Sequence, residues 1–280
     1  MSDKFLRADL HVHSNYSDGS NTVYELAEIM KNAGISIFAL TDHDTVEGCR
    51  ELSGKTDFIC GVELTSLCGN KKCHILGYNV DIFNKELNGL IAKGKILRRQ
   101  KLETRIRYLK EVHNIELTSE ELDWLYSRKS VVKTHLANIL VKRGLAGNNI
   151  EAMQKYLDAC KTGNTRFDGK ESIETIIKAD GIPVWAHPLG GEGERHLKPE
   201  EFLPRLKEMI KFGIQGLECY YSRYNSEEID FLTKCAKENN LLISGGSDYH
   251  GTNKDIPPGR LNTGEKYIEP VKLTILTALK

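Results

Sequence analysis

Long apolar runs are missing from this 280-residue chain, and no stretch approaches the roughly 20 consecutive apolar residues that span a bilayer. The opening Met1-Ser2-Asp3-Lys4 also lacks the apolar segment of a secretion signal. Both absences predict a cytoplasmic protein. Net charge is missing too: 39 lysines and arginines balance 39 aspartates and glutamates. No field of one sign draws the whole molecule to nucleic acid or anionic lipid, so any selectivity for anions must be local. Cysteine is too sparse for a disulfide framework, because seven residues, an odd number, are scattered along the chain. They read as reduced, buried thiols. An apolar content of 40% over this length suits one large domain, or one domain carrying an insertion.

What the chain does have is histidine at the ends of short apolar segments. Asp9-Leu10-His11-Val12-His13 closes one such run. Alternate side chains of a strand leave the same face, so His11 and His13 point together and can share a divalent cation. The pattern returns with Asp18 in an Asp-Gly-Ser turn, His43 in Thr41-Asp42-His43-Asp44, Glu63 at the end of an apolar run, and His74 opening the next. Late in the chain come Ala186-His187-Pro188 and Gly246-Ser247-Asp248-Tyr249-His250. So many imidazoles and carboxylates in these places imply a multinuclear metal centre and hydrolytic chemistry. Mixed nitrogen and oxygen ligation suits manganese, iron or zinc better than magnesium.

The periodicity of the first third predicts a strand over Phe5 to Val12, a helix over Thr22 to Ala33 and a strand over Ile35 to Leu40, which is a βαβ unit. Strands over Asp57 to Leu64 and Cys73 to Val80 are expected to pair across Cys68-Gly69-Asn70-Lys71. From Lys85 to about Cys160 the apolar spacing is helical throughout. After that, helices over Ser172 to Ala179, Pro199 to Phe212 and Ser226 to Asn239 alternate with strands over Ile182 to Ala186, Gly216 to Tyr220 and Leu241 to Ser244. This rhythm predicts an α/β barrel with a mostly parallel sheet, ligand candidates at the carboxyl ends of its strands, and an inserted helical cap. The expected division is barrel over 1–83 and 166–280, cap over 84–165.

The ordered motifs Asp9-Leu10-His11-Val12-His13-Ser14, Ser17-Asp18-Gly19, Leu40-Thr41-Asp42-His43-Asp44, Gly61-Val62-Glu63, Ala186-His187-Pro188 and Gly246-Ser247-Asp248-Tyr249-His250 resemble those of the PHP (polymerase and histidinol phosphatase) superfamily. The central insertion and Gly216-Leu217-Glu218-Cys219-Tyr220-Tyr221 are similar to the branch that hydrolyses nucleoside 3′,5′-bisphosphates and trims short 5′-phosphorylated RNA. The resemblance implies a distorted (β/α)7 TIM-like barrel and three divalent metals. It places the first on His11, His13, Glu63 and Asp248, the second on Asp18, His43 and His250, and the third on Glu63, His74 and His187. Asp42, His43 and His187 are the expected catalytic groups, with Asp42 and Asp44 able to orient His43 or move a proton to the leaving oxygen.

Away from the metals, Arg128, Lys129, Lys133 and His135 in the cap, with Arg223 and Tyr221 after a strand, are the expected substrate contacts. In the similar branch the stretch around His135 usually reads Arg-Pro-His-Ile-Ala, whereas here Lys133-Thr134 precedes the histidine. A point charge therefore replaces a bidentate fork. The basic run from Lys93 to Lys110 reads as the wet face of an amphipathic helix, and Cys68 and Cys73, without further nearby ligands, as free thiols. The expected partner is a small phosphorylated substrate, a nucleotide or short RNA, with no membrane and no obligate protein. Histidinol phosphate is the alternative within the phosphatase class. An amidohydrolase and a non-catalytic metal module are the alternatives outside it.

Overall fold

A computed structural model describes residues 7–127, 131, 133–261 and 266–279. Seven strands follow one another around a sheet that nearly closes. β1 (Ala8–Val12), β2 (Ile37–Leu40), β3 (Ile59–Cys68) and β4 (Lys71–Tyr78) come from the first part of the chain, while β6 (Ile182–Ala186), β7 (Gly216–Tyr221) and β8 (Leu242–Gly246) come from the last. A two-residue strand, β5 (Phe167–Asp168), pairs with β3 off this path. Closure comes from backbone hydrogen bonds between β1 and the segment after β8: Asp248 N donates to His11 O at 2.9 Å and His13 N donates to Tyr249 O at 2.9 Å. The architecture is the distorted α/β barrel that the strand and helix rhythm predicts.

One strand departs from the mostly parallel pattern. β4 runs antiparallel to both neighbours, with Thr65 opposite His74 and His74 opposite Ala186. The two-residue hairpin loop at Gly69, whose φ of +59° lies in the left-handed region that glycine adopts freely, sends the chain back along β3.

The helices of the barrel begin where the sequence offers caps. α1 (Val23–Asn32) opens with a capping box between Thr22 and Glu25, α7 (Gly169–Lys178) opens on the Asp168 side chain, and α9 (Ser226–Glu238) opens with a box between Asn225 and Glu228. α8 (Pro199–Phe212) begins with proline in its first turn and ends on Gly213 in the left-handed region. A short helix, α2 (Glu47–Leu52), was not apparent from periodicity because six residues barely complete a repeat.

The chain separates into two compact units, 1–90 with 167–280, and 91–166. The smaller unit holds most of α3 (Lys85–His113) with α4 (Ser119–Tyr126), α5 (Lys133–Lys142) and α6 (Asn149–Tyr156). It buries a core of its own, including Leu102, Leu109, Leu125, Leu136, Leu140 and Leu157. No helix among the described residues is long and apolar enough to cross a membrane.

Gly246 is a tight joint of the barrel. A Cβ at this position would lie 2.2 Å from His11 Cβ and 2.5 Å from His11 N, so β8 lies against β1 at a distance only glycine allows. Gly246→Ala is expected to lower stability by about 1–3 kcal/mol through this overpacking, read as a shift in the urea midpoint. An unchanged midpoint would contradict so close an approach.

Candidate metal centre

Glu63, 1% exposed in its side chain, sits at the middle of β3 and collects five imidazoles. On Oε2 are His11 Nε2 at 3.1 Å, His13 Nε2 at 3.2 Å and His43 Nδ1 at 3.2 Å. On Oε1 are His74 Nδ1 at 2.9 Å and His187 Nε2 at 3.2 Å. The fold delivers each of them separately. β1 carries His11 and is directly followed by His13, the loop after β2 supplies His43 as an isolated bridge partner of Glu63, β4 carries His74, and His187 directly follows β6.

Asp248 and His250 follow β8. Asp248 Oδ1 lies 3.6 Å from His11 Nε2 and 3.3 Å from His13 Nε2, and His250 Nε2 lies 3.1 Å from Asp18 Oδ1. Three groups of donor atoms result, each within 4.8 Å: His11, His13, Glu63 and Asp248; His13, Asp18, His43 and His250; and His43, Glu63 and His74. All nine residues expected as ligands come to one place. The third group differs in membership from the expected one. His43 stands in it, and His187 joins through the shared Glu63 Oε1.

These residues fit divalent cations for a reason that protons do not meet. The buried atoms His13 Nε2, His43 Nδ1 and His250 Nε2 have no hydrogen-bond partner although each lies close to a carboxylate oxygen. A neutral imidazole lone pair facing a carboxylate is repulsive, and protonating five rings around one carboxylate would only exchange that for repulsion among cations. A multivalent ion resolves both. Atoms about 2.1 Å from a common metal stand roughly 3.0–3.4 Å apart, the range spanned by most of these contacts. In the absence of metal, burial pushes the Glu63 carboxyl up, but the imidazoles of His43, His11 and His74 outweigh it and hold Glu63 well below the usual carboxylate range.

A supporting layer sets the ring orientations. Glu218, fully buried on β7, accepts from His11 Nδ1 at 2.8 Å, which leaves His11 Nε2 free to face Glu63, and its other oxygen accepts from His187 N at 2.7 Å. Asp248 O holds His250 Nδ1 at 2.8 Å with the same effect. Asp9, also fully buried, accepts from Ser247 N and Gly259 N at 2.8 and 2.7 Å and from the Ser247 hydroxyl. It pins the segment bearing Asp248 to β1. Burial pushes the Asp9 carboxyl up to about 6 despite these donors. Glu218 and Asp9 received no role from sequence reasoning; their signal was an acidic side chain inside an apolar strand, where an ionised group must find partners. Lys254, also not anticipated, donates to Asp248 Oδ2 at 2.6 Å.

The expected catalytic and substrate residues lie as follows. Asp42 is 1% exposed and accepts from Ser14 N at 2.8 Å, the Ser14 hydroxyl at 2.7 Å and the Ser17 hydroxyl at 2.7 Å. These bonds bind the loop after β1, so Asp42 organises that loop. Tyr221 is 1% exposed and its hydroxyl donates to Asp248 Oδ2 at 3.1 Å, so it supports a candidate ligand and has no open face for a base. Arg223 pairs with Glu192. In the smaller unit, Lys133 pairs with Asp158 at 2.5 Å and His135 meets the Trp124 ring edge-on at 5.6 Å. Arg128 and Lys129 lie outside the described residues.

Beside the cluster is a cavity of about 290 Å³, lined by His43, Glu63, His74, His187 and Asp248 on one side and by Lys72, Arg195, Arg205 and Lys254 among the rest. Three residues at the cluster take left-handed backbone angles without being glycine: Asp44 at φ +50°, His187 at +29° and Asp248 at +60°. Such strain persists where surrounding structure holds it, here the sheet rim and the bonds of Glu218 and Asp9.

Two substitutions separate ligand from support. Glu63→Ala is expected to remove most bound metal, whereas Glu218→Gln should keep the fold and weaken metal affinity by about 10–100-fold. Metal content by plasma mass spectrometry and competition with a chelator read both. Full metal retention in Glu63→Ala would sink the assignment.

The pattern of the PHP domain matches residues 9–166. A 5′-3′ exoribonuclease of Haemophilus influenzae is 29% identical over 276 residues, covering 92% of this chain and 98% of that protein. A 3′,5′-nucleoside bisphosphate phosphatase of Chromobacterium violaceum is 27% identical over 271 residues, covering 89% and 92%. Among solved structures, a presumed metal-dependent phosphoesterase of Bifidobacterium adolescentis superposes with a TM-score of 0.78 at 23% identity, over 98% of this chain and 95% of that one, and shares the fold. With its barrel, its imidazole and carboxylate cluster and this match over more than half its length, the chain belongs to the PHP family of metal-dependent phosphoesterases.

Proposed function

We propose that the protein hydrolyses phosphate esters, with the monoester 3′-phosphate of nucleoside 3′,5′-bisphosphates as its main target and the phosphodiester links of short 5′-phosphorylated RNA as a second. The observation that carries this reading is the Glu63 cluster opening onto a cavity whose lining also holds four cations, Lys72, Arg195, Arg205 and Lys254, against the two further carboxylates Glu192 and Glu194. His11, His13, Glu63 and Asp248 would hold one divalent ion, Asp18, His43 and His250 a second, and Glu63, His74 and His187 a third. Manganese, iron and zinc suit this donor set. When bound, such ions supply hydroxide at neutral pH and neutralise the oxygens of the phosphate under attack.

The chain's own residues do the remainder. Lys254 and Asp248 pair at 2.6 Å beside the cavity, so this ammonium would stand near a phosphate bound at the cluster and could neutralise charge that gathers there. Lys72 and Arg205 line the same cavity, and both suit a second phosphate at a distance from the cluster. Two anionic groups on one substrate match a cavity that has both the cluster and these cations in its lining. The names of the two relatives, an exoribonuclease and a bisphosphate phosphatase, point to the same substrate class.

The test is phosphate release from adenosine 3′,5′-bisphosphate, AMP and histidinol phosphate, and mononucleotide release from a 5′-phosphorylated trinucleotide, with manganese and with chelator. The bisphosphate is expected to exceed AMP by at least about tenfold in kcat/KM, roughly 1.4 kcal/mol of added transition-state binding. Chelator should abolish release. Equal or faster turnover of histidinol phosphate would overturn the substrate assignment while leaving the phosphoesterase chemistry intact.

A further inference from the structure

Two cysteines and a methionine gather at the turn end of the β3–β4 hairpin, outside the metal cluster. Cys68 closes β3, Cys73 lies on β4, and their sulfurs stand 2.7 Å apart, with Met209 Sδ 3.1 Å from Cys68 Sγ. In the hairpin register Cys68 is opposite Lys71 and Cys73 is opposite Ser66, so the two thiols share one face as diagonal neighbours. Both are buried, yet Cys73 and Arg205 line the cavity beside the cluster, which gives a small solute a route to the pair.

From this geometry we infer that Cys68 and Cys73 are a reversible dithiol–disulfide pair, oxidised by peroxide. A separation of 2.7 Å is only about 0.7 Å beyond a disulfide bond. It is too short for a shared structural metal, because two thiolates on one tetrahedral zinc stand about 3.7 Å apart. The hydrogen bond from Cys73 favours the Cys68 thiolate, and although burial opposes it, the Arg205 guanidinium adds to the effect, so the Cys68 thiol lies below its ordinary range.

The chemistry balances in two steps. The Cys68 thiolate attacks one oxygen of hydrogen peroxide, the O–O bond breaks, and Cys68 becomes a sulfenic acid as hydroxide leaves. The Cys73 sulfur then attacks Cys68 Sγ, the S–O bond breaks, and the S–S bond forms as a second hydroxide leaves. The two thiol protons turn both hydroxides into water. The sulfurs together lose two electrons and the peroxide gains them. A thiol reductant reverses the bond by exchange. Because β3 carries Glu63 and β4 carries His74, the bond would tie together the two strands that bear these residues.

The test uses the full chain, treated with hydrogen peroxide, blocked with N-ethylmaleimide and cut with trypsin without reductant. Peptides 56–71 and 73–85 are expected to run as one species that carries one maleimide on Cys60 and is otherwise lighter by two hydrogens than their reduced sum, and dithiothreitol should separate them. Because 56–71 also contains Cys60, the species should vanish in Cys68→Ser and persist in Cys60→Ser. Cys68 and Cys73 both recovered as maleimide adducts, or Cys68 recovered as a sulfinic acid, would overturn the inference. So would a bond that survives Cys68→Ser.

Discussion

A single carboxylate, Glu63, is the constraint around which the barrel is arranged. Removing an ionised group from water costs several kcal/mol even after the protein relaxes, and Glu63 is almost wholly removed. Five imidazoles from four separate segments offset that cost only if they can bring positive charge with them, as protons or as metal ions. The backbone is enlisted as well. Glu63 N donates to Asp42 O at 3.2 Å and Asp44 N donates to Glu63 O at 2.9 Å, so the loop bearing His43 is clipped to the strand bearing Glu63. Displacing this strand by one residue would turn Glu63 out of the cluster and end every one of these contacts.

The antiparallel course of β4 follows from the same requirement. In an all-parallel barrel, functional side chains gather at the carboxyl ends of strands. His74 instead lies near the start of its strand. Because β4 runs backwards between β3 and β6, its start reaches the rim where β6 ends, and His74 sits opposite Ala186, the residue before His187. Two imidazoles far apart in sequence thus meet on one oxygen of Glu63. The reversed strand distorts the barrel and at the same time completes the cluster.

Much of this was legible in the chain because the inner residues obey local rules. His11 and His13 alternate on a strand, and His43, His187, Asp248 and His250 each follow a short apolar run, which locates a strand end without knowledge of its neighbours. The hairpin turn at Cys68-Gly69-Asn70-Lys71 made the antiparallel pairing of β4 with β3 legible, but not its second antiparallel pairing with β6, since a strand's other neighbour depends on the fold and not on a local turn. The supporting roles were not legible either. Glu218 acts on His11 across 207 residues and Asp9 acts on Ser247 across 238, and no periodicity reports such partners. Tyr221 misled for a related reason: a tyrosine at the end of a strand looks alike whether its ring faces outward or its hydroxyl reaches inward to Asp248.

The buried carboxylates nevertheless sort themselves by the charge of what they touch. Glu63 and Asp248 are both desolvated, yet both lie well below the usual carboxylate range, because imidazoles surround them and, for Asp248, Lys254 adds its charge. Asp9 and Asp42 are also fully buried, but their direct hydrogen-bond donors are backbone amides and hydroxyls, and burial pushes both up, for Asp42 even against the charge of the His13 imidazole. Neutral donors can hold a carboxylate in place without making it a strong anion, whereas cationic neighbours make it a strong anion that is poorly satisfied until a multivalent ion arrives. This division separates Glu63 and Asp248, which stand among the candidate ligands, from Asp9 and Asp42, which fix the loops around them. It also explains why the outer carboxylates are spent on backbone donors: any oxygen left free beside the cluster would compete with Glu63 and Asp248 for the same ions.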